Sequence, residues 1–278
     1  MRSFILVVVL LVVSVFFFGI RYNTSNNVAE PERVLRVGVE CDYPPNNWED
    51  GRSTNFNIPL LNNEGFYADG YDVQIAKLAA KSIGAKLEVK KIAWEDLIPA
   101  LNNNEIDVIF SGMLDTSARR KLIDFTESYE DRLTIYAICV RRNDKWSNAK
   151  TLEDFEGARF IGQVDTNLDT AIDQIPGVIH LPPVESSNQM LDALLNNEAD
   201  GIISDHIIIQ NYIKTHPELK LISLPEGKTF VFDYTGVCAG VRKTDEKLKQ
   251  ELNIIFKNLP SDERQRIMDG AIARHSNE

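Results

Sequence analysis

Two oppositely charged residues hold matching places in the two halves of the chain. Arg119 follows Thr116, which we expect to N-cap a short helix directly after the segment DVIFSG. A guanidinium beside the free N–H groups of a helix start forms a good carboxylate site. Asp205 ends the segment GIISD and offers an acceptor for an ammonium group. The pair therefore predicts a site for a zwitterion, although a solvated surface charge is the alternative for an arginine beside another arginine.

Those two charges follow a repeated sequence pattern. The stretches NEIDVIFSG (Asn104–Gly112) and NEADGIISD (Asn197–Asp205) share N-E-x-D-x-I-x-S in register. Each copy follows an apolar helical segment and turns through Asn into an apolar strand, as Asn and Asp favour turns. The shared letters therefore indicate an architectural repeat, and the residues that differ at the strand ends are the candidates for function.

Strands and helices alternate along both halves, which is typical of α/β proteins with mostly parallel sheets flanked by helices. The segment VLRVGVE predicts a strand, Tyr71–Ile83 an amphipathic helix, and Trp94–Asn103 a short helix. Residues 41–51 and 50–69 are predicted as loops because they are rich in Pro, Asn and Gly. Ligands of such sheets bind beyond the carboxyl ends of the strands. Here those ends carry Glu40, Ser111–Gly112, Gln163–Asn167 and Ser204–Asp205.

The composition excludes several classes of function. The 278 residues carry a formal net charge of −11, so nucleic acid is not an expected partner. The four histidines and three cysteines show no spacing typical of a metal site, and we expect neither a metal nor a cofactor. We expect the cysteines to be buried free thiols, with a Cys139–Cys238 bridge as the alternative.

The N-terminal segment predicts export. An uncharged, almost wholly apolar run covers Phe4–Ile20 between Arg2 and Arg21. We interpret residues 1–21 as an uncleaved signal anchor that spans the membrane, with a cleaved signal peptide as the alternative. Residues 22–33 are polar and predict a linker. The remainder is expected on the extracytoplasmic face of the cell membrane.

Several motifs together resemble a known family. They are VGVECDYPP, GYDVQIA, WEDLIPAL and a T-x-x-R-x-x-x-x-D-F-T element that follows SGM. From about Val34 to Ala273 the chain resembles the family 3 extracellular solute-binding proteins of polar amino-acid ABC transporters. The resemblance implies a two-lobe, type II periplasmic-binding-protein-like fold with two hinge crossings. Lobe 1 would contain residues 34–140 and 236–278, and lobe 2 residues 141–235.

The resemblance also implies roles for individual residues. Arg119 would bind the α-carboxylate of an amino acid with help from the backbone N–H of Leu114, while the Gly112 carbonyl and the Asp205 carboxylate would bind the α-ammonium. The positions that would contact the ligand side chain are Glu40, Tyr43 and Trp94. The loop of lobe 2 that would close over the ligand includes Gln163, Thr166 and Asn167.

Three positions depart from the family pattern. Leu114 stands where a hydroxyl residue is common, Asp165 where the loop usually has Gly, and Asn46 where an aromatic usually follows the two prolines, with Trp48 as a candidate replacement. These departures concern ligand identity. A carboxyl group at Glu40 favours a basic or amide side chain on the ligand.

The predicted function is therefore capture of an amino acid and its delivery to an ABC transporter permease by a monomeric protein without catalytic residues. One alternative is a membrane-tethered amino-acid sensor, because a receptor for transport and a receptor for signalling would have the same cleft. Another is a cyclohexadienyl-dehydratase-like enzyme on the same fold, for which Glu40 would be the candidate general acid.

Overall fold

A computed structural model describes residues 33–130, 136–225 and 229–276. The predicted signal anchor and nearly all of the predicted linker lie outside these residues. Within the described ranges, no helix combines the length and apolar character needed to cross a membrane.

The described residues form fourteen strands and seven α-helices, with short 3₁₀ turns between them. The strands are β1 (Val34–Val39), β2 (Asp42–Tyr43), β3 (Asn47–Asp50), β4 (Ile58–Pro59), β5 (Tyr67–Asp69), β6 (Lys86–Lys91), β7 (Val108–Ile109), β8 (Asp124–Ser128), β9 (Tyr136–Arg141), β10 (Arg159–Phe160), β11 (Ile179–His180), β12 (Gly201–Asp205), β13 (Leu219–Ile222) and β14 (Cys238–Val241). The helices are α1 (Tyr71–Ser82), α2 (Leu97–Asn102), α3 (Asn167–Ala171), α4 (Ser187–Leu195), α5 (His206–Thr215), α6 (Glu246–Asn258) and α7 (Ser261–His275).

Two five-stranded sheets share one arrangement. Their orders are β6-β1-β7-β14-β8 and β11-β10-β12-β9-β13. In each sheet the first three strands are parallel, and the fourth strand is antiparallel to both of its neighbours. Four of the five strands therefore run in the same direction, which confirms the prediction of an α/β fold with mostly parallel sheets.

The repeated sequence pattern marks equivalent strands. β7 and β12 are each third in their sheet, and α2 and α4 precede them. Their apolar residues are buried, with Ile109 and Ile203 fully inaccessible to solvent. The shared letters are thus structural, and both carboxyl ends lead into the cavity described below.

The strand β9 lies in the second sheet, where Ile138 pairs with Ile203 of β12 and with Ile222 of β13. The sequence-based division placed residues 136–140 in the first lobe, whereas β9 pairs with strands of the second sheet. A buried apolar strand carries no local signal of which sheet it joins. The chain passes between the sheets twice, from β8 to β9 and from β13 to β14.

Residues 42–69, predicted as loops, contain a small antiparallel sheet in the order β2-β3-β5-β4. Its strands are only two to four residues long, so tertiary packing stabilises them more than β-propensity does. Trp48 of β3 is buried against His275, with ring centroids 5.1 Å apart. Arg274 also donates to Asp69 at 2.7 Å, so the last helix holds this sheet in place.

The predicted helix at 71–83 and strand at 34–40 are confirmed as α1 and β1. All three cysteines are buried free thiols, as expected. Cys139 and Cys238 are both free thiols, so the alternative of a bridge between them is wrong.

Candidate functional site

One cavity at the junction of the two sheets is lined by all ten residues that the sequence singled out. From the first half of the chain it is lined by Glu40, Tyr43, Trp94, Gly112, Leu114 and Arg119. From the second half it is lined by Gln163, Thr166, Asn167 and Asp205. The strand-end rule and the family resemblance together therefore led to residues that are close together in space.

Arg119 presents a buried cation to this cavity. Its residue surface is only 8% exposed, and its guanidinium lies 4.9 Å from the centre of the Trp94 ring. The guanidinium donates to two backbone carbonyls, from Nη1 to Leu114 at 3.0 Å and from Nη2 to Asp165 at 3.1 Å. Burial lowers the pKa of Arg119 to about 10, so it stays charged at neutral pH. Within the described ranges it forms no ion pair with a carboxylate.

The backbone around Arg119 differs in one way from the sequence-based expectation. The helix expected after Thr116 is a single 3₁₀ turn, Arg119–Lys121, although Thr116 Oγ1 does accept from the Arg119 backbone N–H at 3.3 Å. So short a turn has little dipole, and the guanidinium itself must carry the positive charge. Leu114 contributes its carbonyl to Arg119 as an acceptor.

Asp205 places a carboxylate at the carboxyl end of β12. It is also the N-cap of α5, because Oδ1 accepts from the backbone N–H of Ile207 at 2.8 Å. This bond fixes the side chain, and Asp205 is 5% exposed. The Tyr43 hydroxyl lies 3.4 Å from Ser204 Oγ, which brings the tyrosine from the first half of the chain against the end of β12.

Glu40 places a second carboxyl group in the cavity. Its backbone N–H donates to Ser111 Oγ at 3.0 Å, and its Oε1 accepts from Gln163 Nε2. Burial raises the pKa of Glu40 to about 8, against the opposing effect of the hydrogen bond from Gln163, while Asp42 raises it further. Without a cation nearby, Glu40 is therefore mostly protonated at pH 7.

The loop before α3 closes one side of the cavity. Thr166 N-caps that helix, accepting from the Asp169 backbone N–H at 3.2 Å, and donates its own hydroxyl to the Gln163 carbonyl at 2.7 Å. Asp165 has φ +57°, the left-handed conformation that glycine adopts without strain. Its carbonyl accepts from both Trp94 Nε1, at 3.2 Å, and Arg119. The loop of the second half is thus hydrogen-bonded to the first half.

This arrangement can bind a zwitterion. A buried guanidinium suits a carboxylate, and the Asp205 carboxylate suits an ammonium group. The carboxyl of Glu40 can accept or donate a hydrogen bond depending on its protonation state. In the part of the chain that the structure describes, no cluster of three or more His, Cys, Asp or Glu side chains has the geometry of a metal site.

Six further residues line the same cavity, and the sequence analysis gave none of them a role in binding: Asn46, Ser111, Glu130, Tyr136, Leu168 and Val237. Ser111 belongs to the repeated pattern and was placed at a strand end without such a role. Tyr136 and Val237 flank the two passages between the sheets, and their contribution follows from tertiary structure alone. Asn46 was noted only as a departure from a family pattern.

The chain belongs to the bacterial extracellular solute-binding proteins, family 3, whose model matches residues 35–270. This confirms the resemblance drawn from the sequence motifs, and the two-lobe architecture of that class agrees with the two sheets.

Two curated relatives show the level of similarity. The chain is 28% identical over 235 residues to ABC transporter arginine-binding protein 1 of Escherichia coli (strain K12), covering 84% of this chain and 88% of that protein. It is 26% identical over 230 residues to a probable histidine-binding protein of Neisseria gonorrhoeae, covering 81% of this chain and 77% of that protein. Among solved structures, an ancestral arginine-binding protein bound to glutamine matches with a TM-score of 0.71 and 25% identity, covering 86% of this chain and 98% of that one.

Proposed function

We propose that this protein captures an amino acid with a basic or amide side chain between its two lobes and delivers it to an ABC transporter permease. The observation that carries the proposal is the buried guanidinium of Arg119, which has no carboxylate partner among the described residues. A buried cation costs free energy unless it is paired, and a ligand carboxylate would supply the missing partner. Asp205, on the side of the second sheet, would bind the α-ammonium together with the Gly112 carbonyl.

The side-chain preference follows from Glu40 and Gln163. An ionised Glu40 would pair with a guanidinium, ammonium or imidazolium group, whereas a protonated Glu40 and the Gln163 amide suit a carboxamide. A ligand carboxylate at this end would face the carboxyl group of Glu40, because Arg119 is engaged at the other end. The names of the relatives, which refer to arginine and histidine, and the glutamine in the ancestral protein support this class of ligand.

Binding would stabilise a closed arrangement of the two lobes. Side chains of one half already contact the other half, among them in the Gln163–Glu40, Trp94–Asp165, Arg119–Asp165, Tyr43–Ser204 and Asn188–Asp42 pairs. A ligand shifts such an equilibrium only by its preference for the closed state. We propose that lobe 1 comprises residues 34–135 and 236–278, that residues 1–21 anchor the protein on the extracytoplasmic face, and that it acts as a monomer.

The direct test is isothermal titration of the purified full chain in detergent with arginine, lysine, glutamine and glutamate. We expect one of the first three to bind most tightly, and tightest binding of glutamate would contradict the role of Glu40. A neighbouring permease and ATPase in the genome would support transport over the alternative of a tethered sensor.

A protonated Glu40 is also what a dehydratase would use as its general acid, because its pKa of about 8 lies near neutral pH. A binding protein releases its ligand unchanged. Mass spectrometry of the ligand after a long incubation separates the two functions, and we expect it to be recovered intact.

A further inference from the structure

Asn46 lines the cavity and carries a side-chain acceptor that has no hydrogen-bond partner among the described residues. Its backbone is fixed, since its N–H donates to the Tyr43 carbonyl and its carbonyl accepts from the Asp72 N–H, both at 2.9 Å. The residue is 5% exposed and lines the cavity. Its side-chain oxygen Oδ1 is buried and has no hydrogen-bond partner among the described residues. Leaving a buried acceptor unsatisfied costs about 1–3 kcal/mol, so a donor that reached Oδ1 would be bound favourably.

The adjacent residue shows that burial of an amide does not by itself create a site. Asn47 is completely buried and donates from Nδ2 to Asp72 at 2.8 Å. Its oxygen is also without a partner among the described residues, but Asn47 does not line the cavity. Only Asn46 borders the space that a ligand would occupy, which makes Asn47 a control for Asn46.

The position of the Asn46 amide indicates which part of the ligand it meets. A Cβ built on Gly112 would lie 3.4 Å from Asn46 Nδ2 and 3.6 Å from the Tyr43 ring, so the nitrogen side of the amide faces Gly112. A half-turn of the amide about χ2 exchanges Nδ2 and Oδ1 and would bring the acceptor to this side. Under the proposed function the Gly112 carbonyl binds the α-ammonium, and Asp205 supplies a second acceptor. An ammonium group has three N–H donors. Two acceptors leave one donor unsatisfied inside a buried site.

We propose that Asn46 Oδ1 accepts the third hydrogen bond of the ligand's α-ammonium, and that the site thereby selects amino acids with an unsubstituted α-amino group. This inference rests on the proposed function, because it requires the ammonium to lie between Gly112 and Asp205. A methyl group on the α-nitrogen removes one N–H and places carbon against the Asn46 amide. Nα-methylation should therefore reduce the affinity by more than the loss of a single solvent-exposed hydrogen bond would.

The test is titration of the full chain with L-arginine and Nα-methyl-L-arginine, and with L-glutamine and its Nα-methyl derivative. The variants are Asn46→Leu, which removes the acceptor at similar size, Asn46→Asp, which keeps an oxygen at the same place, and Asn47→Ala as the control. We expect Asn46→Leu to weaken binding of the parent amino acid by about tenfold and to narrow its preference over the methylated form by a similar factor. Asn46→Asp and Asn47→Ala should retain that preference.

The outcomes separate a failure of the proposed function from a failure of the role assigned to Asn46. If the wild-type protein binds none of these amino acids, the proposed function fails and this inference fails with it. If the wild-type protein binds but Asn46→Leu keeps the full preference for the parent amino acid, only the assignment of Asn46 fails. Two other results would also overturn the assignment of Asn46. One is that Asn47→Ala loses the preference for the parent over the Nα-methylated amino acid. The other is that Asn46→Leu weakens binding of arginine but not of glutamine, since either result places the effect away from the α-ammonium. Far-ultraviolet circular dichroism of each variant verifies that it is folded.

Discussion

The affinity for a cationic amino acid should rise steeply with pH because Glu40 must lose its proton to pair with the cation. Burial raises the pKa of Glu40 to about 8 in the protein without ligand, with Asp42 and Glu95 adding to this effect and Lys91 opposing it. Binding of a guanidinium or ammonium side chain favours the ionised form and lowers that pKa. Below pH 8, binding therefore releases a proton from Glu40, and the free energy of deprotonation opposes binding.

The size of the effect follows from the pKa alone. The apparent dissociation constant scales with 1 plus the ratio of protonated to ionised Glu40, so affinity falls about fivefold from pH 8 to pH 7 and about ninefold from pH 7 to pH 6. Between pH 6 and pH 8 the expected gain in affinity for arginine is about 50-fold. Citrulline has the shape of arginine but no charge on its side chain. It does not require ionised Glu40, and we expect its affinity to change by less than about threefold over the same range.

The assay is isothermal titration of arginine and citrulline at pH 6, 7 and 8 in two buffers of different ionisation enthalpy, which reports the protons released on binding. Glu40→Gln is the matched variant, because it keeps an oxygen acceptor for Gln163 and cannot ionise. We expect weaker arginine binding in this variant, with little dependence on pH. An equally steep pH dependence in Glu40→Gln, or flat arginine binding in the wild-type protein, would refute the reasoning.

Three further predictions concern stability and backbone conformation. The folded protein holds a proton on Glu40 more strongly than the unfolded chain, so the stability of the ligand-free protein should fall as pH rises from about 4.5 to about 8, and Glu40→Gln should lessen that fall in thermal melts. Asp165→Gly should keep ligand affinity and stay within about 1 kcal/mol in free energy of unfolding, whereas Asp165→Val should lose about 1–2 kcal/mol because a β-branched residue is strained at φ +57°; urea titration would contradict this if both variants behaved alike. Gly70→Ala should lower the free energy of unfolding by more than about 2 kcal/mol, because at φ +124° its Cβ would lie 2.2 Å from the Asn46 carbonyl oxygen. Gly65→Ala is the control, since Gly65 has φ +84° and its Cβ would meet no atom within 4 Å, and it should lower the free energy of unfolding by about 1 kcal/mol. Equal losses in denaturant melts would show that the contact with Asn46 is unimportant.

The sequence was sufficient for the elements with a strong period. The helix α1 follows the 3.6-residue pattern of its buried residues Val73, Ile75, Ala76 and Ala79, and β1 follows its β-branched alternation. The sheet of β2–β5 was missed because its strands are too short for any periodic signal, and they depend on contacts of Trp48 and Asp69 with the last helix. The sheet membership of β9 depends on pairing with strands more than sixty residues away, which local pattern does not encode.

Several residues of the candidate site could be predicted for a different reason. Ligands of α/β sheets bind beyond the carboxyl ends of the strands, so Glu40 and Gly112 in one half and Gln163 and Asp205 in the other could be grouped from the sequence. The protonation state of Glu40 could not be predicted, because its pKa depends on burial by surrounding elements. The sequence showed only that Asp165 stands where the family usually has glycine. The structure shows that Asp165 adopts the left-handed conformation, with φ +57°.

The central claim is that Arg119 binds the α-carboxylate of an amino acid, and its neighbour provides a matched control. Arg120 has an exposed side chain, 49% accessible, and pairs with Asp115 outside the cavity lining. The most direct measurement is the dissociation constant of the tightest-binding amino acid for Arg119→Ala and Arg120→Ala, beside the wild-type protein. We predict a loss of at least about 100-fold for Arg119→Ala, since a charge-assisted pair in a buried site is removed, and a change below about threefold for Arg120→Ala. Wild-type affinity in Arg119→Ala, or equal losses in both variants, would contradict the account.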